Sequence, residues 1–109
     1  MRESGILMPV ASLPGPFGIG TLGKPAYEFI DFLKKARQAV WQILPVSPTG
    51  FGDSPYQSCS AFAGNPYFID FDLLQKEGLL KKSDYAGLCF GKAGTVDYET
   101  VETVHFNIL

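Results

Sequence analysis

Val40-Trp41-Gln42-Ile43-Leu44-Pro45-Val46 is the stretch on which the fold turns. It reads as a short strand buried on both faces. A helix over about Lys24 to Arg37 precedes it. Pro25 suits the first turn of that helix, where its missing N–H costs nothing. Ala26, Phe29, Ile30, Leu33 and Ala36 share one face, and Phe32 widens the apolar stripe. Glu28 and Asp31 each have a lysine three or four residues on. The exit is Arg37-Gln38, with no glycine cap. Further upstream, Gly5-Ile6-Leu7-Met8-Pro9-Val10 is a second apolar run, and Pro9 stops its ladder. Strand, helix and strand with a crossover of this length predict a parallel, right-handed βαβ unit.

Two strands buried on both faces need neighbours. One helix cannot cover them, and a two-stranded parallel sheet is not stable by itself. The chain therefore reads as the opening of a larger α/β domain. Between the first strand and the helix, Ala11 to Gly23 is a loop dense in proline and glycine. After the second strand, a loop runs from Ser47 to Pro66, with Asn65-Pro66 as a turn signal. Tyr67 to Phe71 reads as extended. Asp72 is the expected cap of a short helix, Leu73 to Glu77, closed by Gly78. Lys81 to Tyr98 is polar and turn-rich, and Glu99 to Leu109 begins a helix.

The totals narrow the function classes. A chain of 109 residues that is 46% apolar and 18% charged is globular and fits one domain. A net charge of -2 gives no electrostatic case for nucleic acid or an anionic membrane. No apolar run approaches the roughly 20 residues of a membrane span, and the N-terminus does not read as a secretory signal. Cys59 and Cys89 lack metal or redox spacing and read as reduced thiols of a cytoplasmic protein.

The loop Gly50-Phe51-Gly52-Asp53-Ser54-Pro55-Tyr56-Gln57-Ser58 carries the chemistry. It combines an aromatic plate, small hydroxyls, one carboxylate and one amide. That mixture suits a sugar, with a flat face for the apolar side of a pyranose and short polar groups for its hydroxyls. Tyr56 can equally be core. Asp53 suits hydrogen bonding or loop support better than catalysis, because no second carboxylate pairs with it as glycoside chemistry requires. Gly18-Ile19-Gly20-Thr21-Leu22-Gly23 matches G-x-G-x-x-G. The strand ends far upstream of it, and Leu44-Pro45-Val46-Ser47 lacks the acid that a dinucleotide site places after the second strand. A loop turning closely over a sheet end is the better reading. His105 is the only histidine and reads as a surface or helix-packing residue, and Trp41 reads as core.

Four blocks then stand in order: Ser12-Leu13-Pro14-Gly15-Pro16-Phe17-Gly18-Ile19-Gly20, Trp41-Gln42-Ile43-Leu44-Pro45, Gly52-Asp53-Ser54-Pro55-Tyr56-Gln57-Ser58 and Ala61-Phe62-Ala63-Gly64-Asn65-Pro66-Tyr67. Together they resemble the N-terminal region of the 4-α-glucanotransferases, the amylomaltases or disproportionating enzymes of glycoside hydrolase family 77. The resemblance is firm from Gly5 to Leu80 and looser from Lys81 to Leu109. It implies an α/β chain that is the N-terminal part of a (β/α)₈ TIM barrel, an incomplete domain. Residues 1–80 would hold the first strands and helix, with the active-site loop at 47–66. Residues 81–109 would begin a mostly helical insertion.

The implied activity moves a segment of an α-1,4-glucan to the 4-hydroxyl of another glucan or glucose, with retention, and needs no organic cofactor and no metal. The implied partner is the glucan. Tyr56 resembles the tyrosine that stacks under the sugar at the cleavage subsite, and Ser54 a neighbouring polar contact. Asp53 and Gln57 complete that motif. Phe51 and Tyr98 align with aromatics of a secondary glucan site. Arg37 stands where many relatives end the helix with glycine, and Cys59 where many have phenylalanine. None of the family's catalytic carboxylates falls within the chain, so the isolated polypeptide is expected to be inactive and poorly folded. Two other readings stay open, a non-catalytic α-glucan-binding fragment and a nucleotide-binding α/β protein.

Overall fold

The computed structural model describes residues 2–91 and 94–109, with Phe51 described by its backbone alone. Strand β1 (Gly5–Leu7) and strand β2 (Val40–Gln42) pair in parallel, with Ile6 opposite Trp41. Helix α1 (Lys24–Lys35) connects them, so the expected βαβ unit is present. Both strands are shorter than their apolar runs. Met8 N–H still donates to the Gln42 carbonyl at 2.9 Å. Pro9 then has no N–H to give, and the chain coils into a 3₁₀ turn at Val10–Ser12. Among the described residues, no segment lies alongside past Gln42 to extend the ladder.

The two strands are open on this chain, as their need for neighbours predicts. Leu7 is 56% exposed and Val40 44%, while Ile6 and Trp41 are only half-buried. Burial depends on what lies against a strand, and β1 and β2 form a two-stranded sheet with α1 as its crossover. The helix shows the same asymmetry. Ala26 and Leu33 are buried and Phe29 half-buried, but Ile30, Phe32 and Ala36 of the predicted stripe are exposed. The radius of gyration is 14.8 Å, against about 13 Å for a compact chain of this length.

Helix α1 ends two residues before the expected Arg37. Gln38 N–H donates to Leu33 O at 2.9 Å and Arg37 N–H to Lys34 O at 3.1 Å, the bond pair of a Schellman ending. That ending needs a left-handed residue, and Arg37 adopts φ 57°. Helix α2 (Phe71–Lys76) closes with the same pair of bonds, where Gly78 takes φ 78° without a side chain to strain. The expected cap, Asp72, is corrected to Asp70. Asp70 accepts from Leu73 N–H at 3.1 Å and from the Thr21 hydroxyl at 2.6 Å, while Asp72 accepts from the Tyr85 hydroxyl at 2.7 Å. The predicted extended stretch Tyr67–Phe71 is replaced by a 3₁₀ turn, Pro66–Phe68. The Asn65 side chain caps it by accepting from Tyr67 N–H at 2.9 Å. Helix α3 (Tyr98–Ile108) starts one residue before the expected Glu99, capped by Asp97 through Thr100.

Two cores result. One gathers Val10, Leu13, Ile19, Ala26, Phe68 and Val101, with Trp41 packed against it. The Trp41 indole N–H donates to Met8 O at 2.9 Å and its ring meets Phe29 edge-on at 5.0 Å. The other core is aromatic, with Phe17 edge-on to Phe71 at 4.9 Å and to Phe90 at 5.7 Å, and with Tyr85 closing it. His105 is fully buried on α3, so the helix-packing alternative of its sequence reading holds and the surface one does not. The glycine loop runs between these cores. A side chain at Gly18 would collide with Phe90, at Gly20 with Val10 and Leu13, and at Gly23 with Asp70.

Two measurements follow from this packing. Arg37→Gly is expected to stabilise the chain by about 0.5–1 kcal/mol. Relief of roughly 1–2 kcal/mol of left-handed strain is partly offset by glycine's freedom in the unfolded state. A rise of a few degrees in melting temperature checks it, and a fall refutes the strain. The hydrogen bond to Asp72 pushes the Tyr85 phenol up to about 12 from 10.0, helped by burial. A raised pKa means that its stabilisation is complete below pH 10 and is lost as pH rises towards 12. Tyr85→Phe should remove one late-titrating phenol from the tyrosinate absorbance curve.

Candidate functional site

The loop after β2 is closed on itself. Gly50 N–H donates to Gln57 O at 2.8 Å, and inside that bridge Asp53 N–H reaches Gly50 O at 3.1 Å and Gln57 N–H reaches Ser54 O at 3.2 Å. Gly52 and Asp53 both sit at positive φ, 70° and 52°, which makes the turn tight. Asparagine and aspartate tolerate that region better than other non-glycine residues, so an aspartate at this position is locally reasonable. The loop's far end is tied back to the strand side by Asn65 N–H to Val46 O at 2.8 Å.

This folding separates the candidate residues into two groups. Tyr56 is 72% exposed and takes no part in the cores formed by the described residues. Gln57 is exposed beside it, and the half-buried Ser54 hydroxyl accepts from Tyr56 N–H at 3.3 Å. Asp53 turns the other way. One of its oxygens accepts from the Thr49 hydroxyl at 2.9 Å, so the carboxylate supports the loop that carries it. Asp53 and Thr49 share a cavity of about 180 Å³ with Ser12, Leu44, Asn65 and Tyr98. Burial, with the Asp53 carboxylate adding to it, holds the Tyr98 phenol above its ordinary value. Burial also raises Tyr67, followed by Glu102 and Asp53. The cavity therefore joins one carboxylate to a phenol that stays protonated, a donor and acceptor pair suited to hydroxyl groups.

Tyr98 thus comes next to the loop from 45 residues away in sequence, and the other aromatic paired with it, Phe51, has a side chain outside the described residues. Thr49 was not singled out from sequence, and Asn65 was read only as part of a turn signal and a family block. Thr49 stands four residues before Asp53, a spacing at which a hydroxyl can reach a turn carboxylate. The G-x-G-x-x-G segment does not cradle a ligand. Its glycines face Phe90, Val10 and Asp70 of the same chain, Gly20 N–H is bound to Ala11 O and Leu22 N–H to Phe68 O, which overturns the nucleotide-binding alternative. Among the described residues no cluster of three or more His, Cys, Asp or Glu could hold a metal, and no helix is long and apolar enough to cross a membrane.

Known proteins share this chain and its shape. The family model described as 4-alpha-glucanotransferase, glycoside hydrolase family 77, matches residues 8–109. A 4-alpha-glucanotransferase of Streptococcus pneumoniae is 55% identical over 101 residues, covering 92% of this chain and 20% of its own length. One of Clostridium butyricum is 63% identical over 84 residues, covering 77% of this chain and 17% of its own. The solved structure of amylomaltase from Streptococcus agalactiae in complex with acarbose has a TM-score of 0.83 at 47% identity, covering 95% of this chain and 23% of that one. The chain spans about a fifth of the length of the curated relatives it matches. With nearly every residue inside the matching family model, the chain belongs to the 4-alpha-glucanotransferase family.

Proposed function

We propose that this chain forms part of the substrate wall of a 4-alpha-glucanotransferase, an enzyme that transfers a segment of a 1,4-α-glucan to the 4-hydroxyl of an acceptor by a retaining double displacement. The observation that carries the reading is Tyr56, presented outward at 72% exposure on a loop braced by the Gly50–Gln57 bond. A large aromatic held in solvent by a closed loop is placed to bind rather than to pack. Its ring would lie under the sugar at the cleavage subsite while positive charge develops at the reacting carbon.

Ser54 and Gln57 beside it would take sugar hydroxyls, and Asp53 would set the loop and reach the same glucan from its inner side. Tyr98, with Phe51, would belong to a secondary glucan contact. β1 and β2 would be the first two strands of a (β/α)₈ barrel, which places the loop after β2 at the face where such barrels carry their sites. Residues 81–109 would open an insertion. The exposed apolar residues of β1, β2 and α1 support that placement, since further strands would cover them. The amylomaltase of similar shape holds acarbose, a ligand chemistry the Tyr56 loop suits. The free thiols Cys59 and Cys89 fit the cytoplasmic setting expected from sequence.

In the full-length protein, Tyr56→Ala should lower kcat/KM for maltooligosaccharide transfer by about tenfold or more, since about 1.4 kcal/mol of lost transition-state contact is tenfold in rate. Tyr56→Phe should keep most of the activity, because the stacking face remains. An unchanged rate in Tyr56→Ala refutes the stacking role.

A further inference from the structure

We propose that His105 is an acid-release latch for α3: a second proton on its ring undocks the helix and withdraws Tyr98 from the cavity beside Asp53. The ring is fully buried. Its Nε2 lies 2.9 Å from Phe17 O, and a carbonyl only accepts, so Nε2 carries the hydrogen and Nδ1 is bare. Nδ1 is buried with no hydrogen-bond partner among the described residues. The ring centroid lies 4.7 Å from Phe71, 5.6 Å from Phe90 and 6.2 Å from Tyr67. In its neutral form the imidazole is a nearly apolar plate with one satisfied donor, and the site suits it. Protonation would add a donor and a full charge where the described residues offer no acceptor.

The charged and titratable groups around it do not relieve that. Tyr67, from the Pro66–Phe68 turn, offers a ring edge-on at 88°. Asp70, the cap of α2, is engaged by Thr21 and Leu73, and Asp72 on α2 by Tyr85. Tyr85, from the segment before Phe90, spends its hydroxyl on Asp72, and Cys89 is exposed. On α3 itself, Glu99 and Glu102 are exposed. The tilted face of Phe71 can attract a cation, but it does not replace a lost hydration shell. Burial accordingly pushes the imidazole below its ordinary 6.5, and the bond to Phe17 O opposes this only in part.

The sign follows. Docked α3 holds His105 neutral, while the undocked helix frees it to bind a proton near pH 6.5. Docking is complete above that pH and weakens by about tenfold for each unit below it, until the docked ring itself titrates. α3 is a continuous 11-residue helix with Tyr98 at its first position, so loosening at His105 is carried to the cavity.

In the full-length protein, the His105 C2–H resonance should not titrate near pH 6.5. Loss of the signal in His105→Phe and His105→Gln assigns the resonance. Amides 98–108, corrected for intrinsic rates, should exchange about tenfold faster per pH unit below it, while α1 amides keep their protection. His105→Phe and His105→Gln should abolish the acid step, the glutamine variant retaining an N–H for Phe17 O. A resonance titrating at 6.5 with α3 protection flat overturns the latch, as does an acid step that persists in either variant. If neither variant docks α3, the wild-type titration and exchange decide. These readouts need no sugar, so they stand apart from the glucan reading.

Discussion

The two oxygens of one buried carboxylate hold the middle of this chain together. Asp70 is only 5% exposed. It takes the Thr21 hydroxyl from the glycine loop and the Leu73 N–H from the first turn of α2. Charge-assisted bonds of this kind are short and strong, and a buried carboxylate without them would be costly. Gly23 is packed so closely on Asp70 that nothing larger fits. One side chain therefore fixes where the loop before α1 lies against the start of α2.

The rest of the packing is arranged around that junction. Phe17 and Phe71 stand edge-on at 4.9 Å on one side of it, which sets the aromatic core, and Phe68 lies on the other side in the aliphatic core. Through the Asn65 cap and the Asn65–Val46 bond, the same region anchors the returning end of the Tyr56 loop. The loop is thus supported by a well-buried base while its aromatic plate stands clear. At the opposite end, the β1–β2 pair has one helix and no further layer among the described residues, and its apolar side chains are open.

What could be read from sequence was what is local. The 3.6-residue spacing and Pro25 located α1 within two residues, and the apolar runs located both strands and their parallel order. Strand burial is a property of neighbours, not of Ile6 or Val40, and the open apolar residues of β1 and β2 match the reading that this pair needs further strands. Asp70 and Asp72 are equivalent as caps in sequence; only the fold, by bringing Thr21 and Tyr85 to them, divides their roles. In the loop, the residue types of Ser54, Tyr56 and Gln57 already spoke of a sugar, and the outward stance of Tyr56 could come only from the structure. Tyr98 entered through family likeness, since no spacing rule links it to Asp53. His105 was legible as a packing residue, but its bare nitrogen was not.

Trp41 adds a practical consequence. It is the single tryptophan, and its indole is wedged between Met8 O and the edge of Phe29, where β1, β2 and α1 meet. Indole emission from Trp41 therefore samples the strand pair and the aliphatic core packed on it, and the aromatic core around Phe17, built from phenylalanine, tyrosine and histidine, is silent in that channel. The molecule carries two intrinsic reporters that do not overlap, one fluorescent and one a proton resonance.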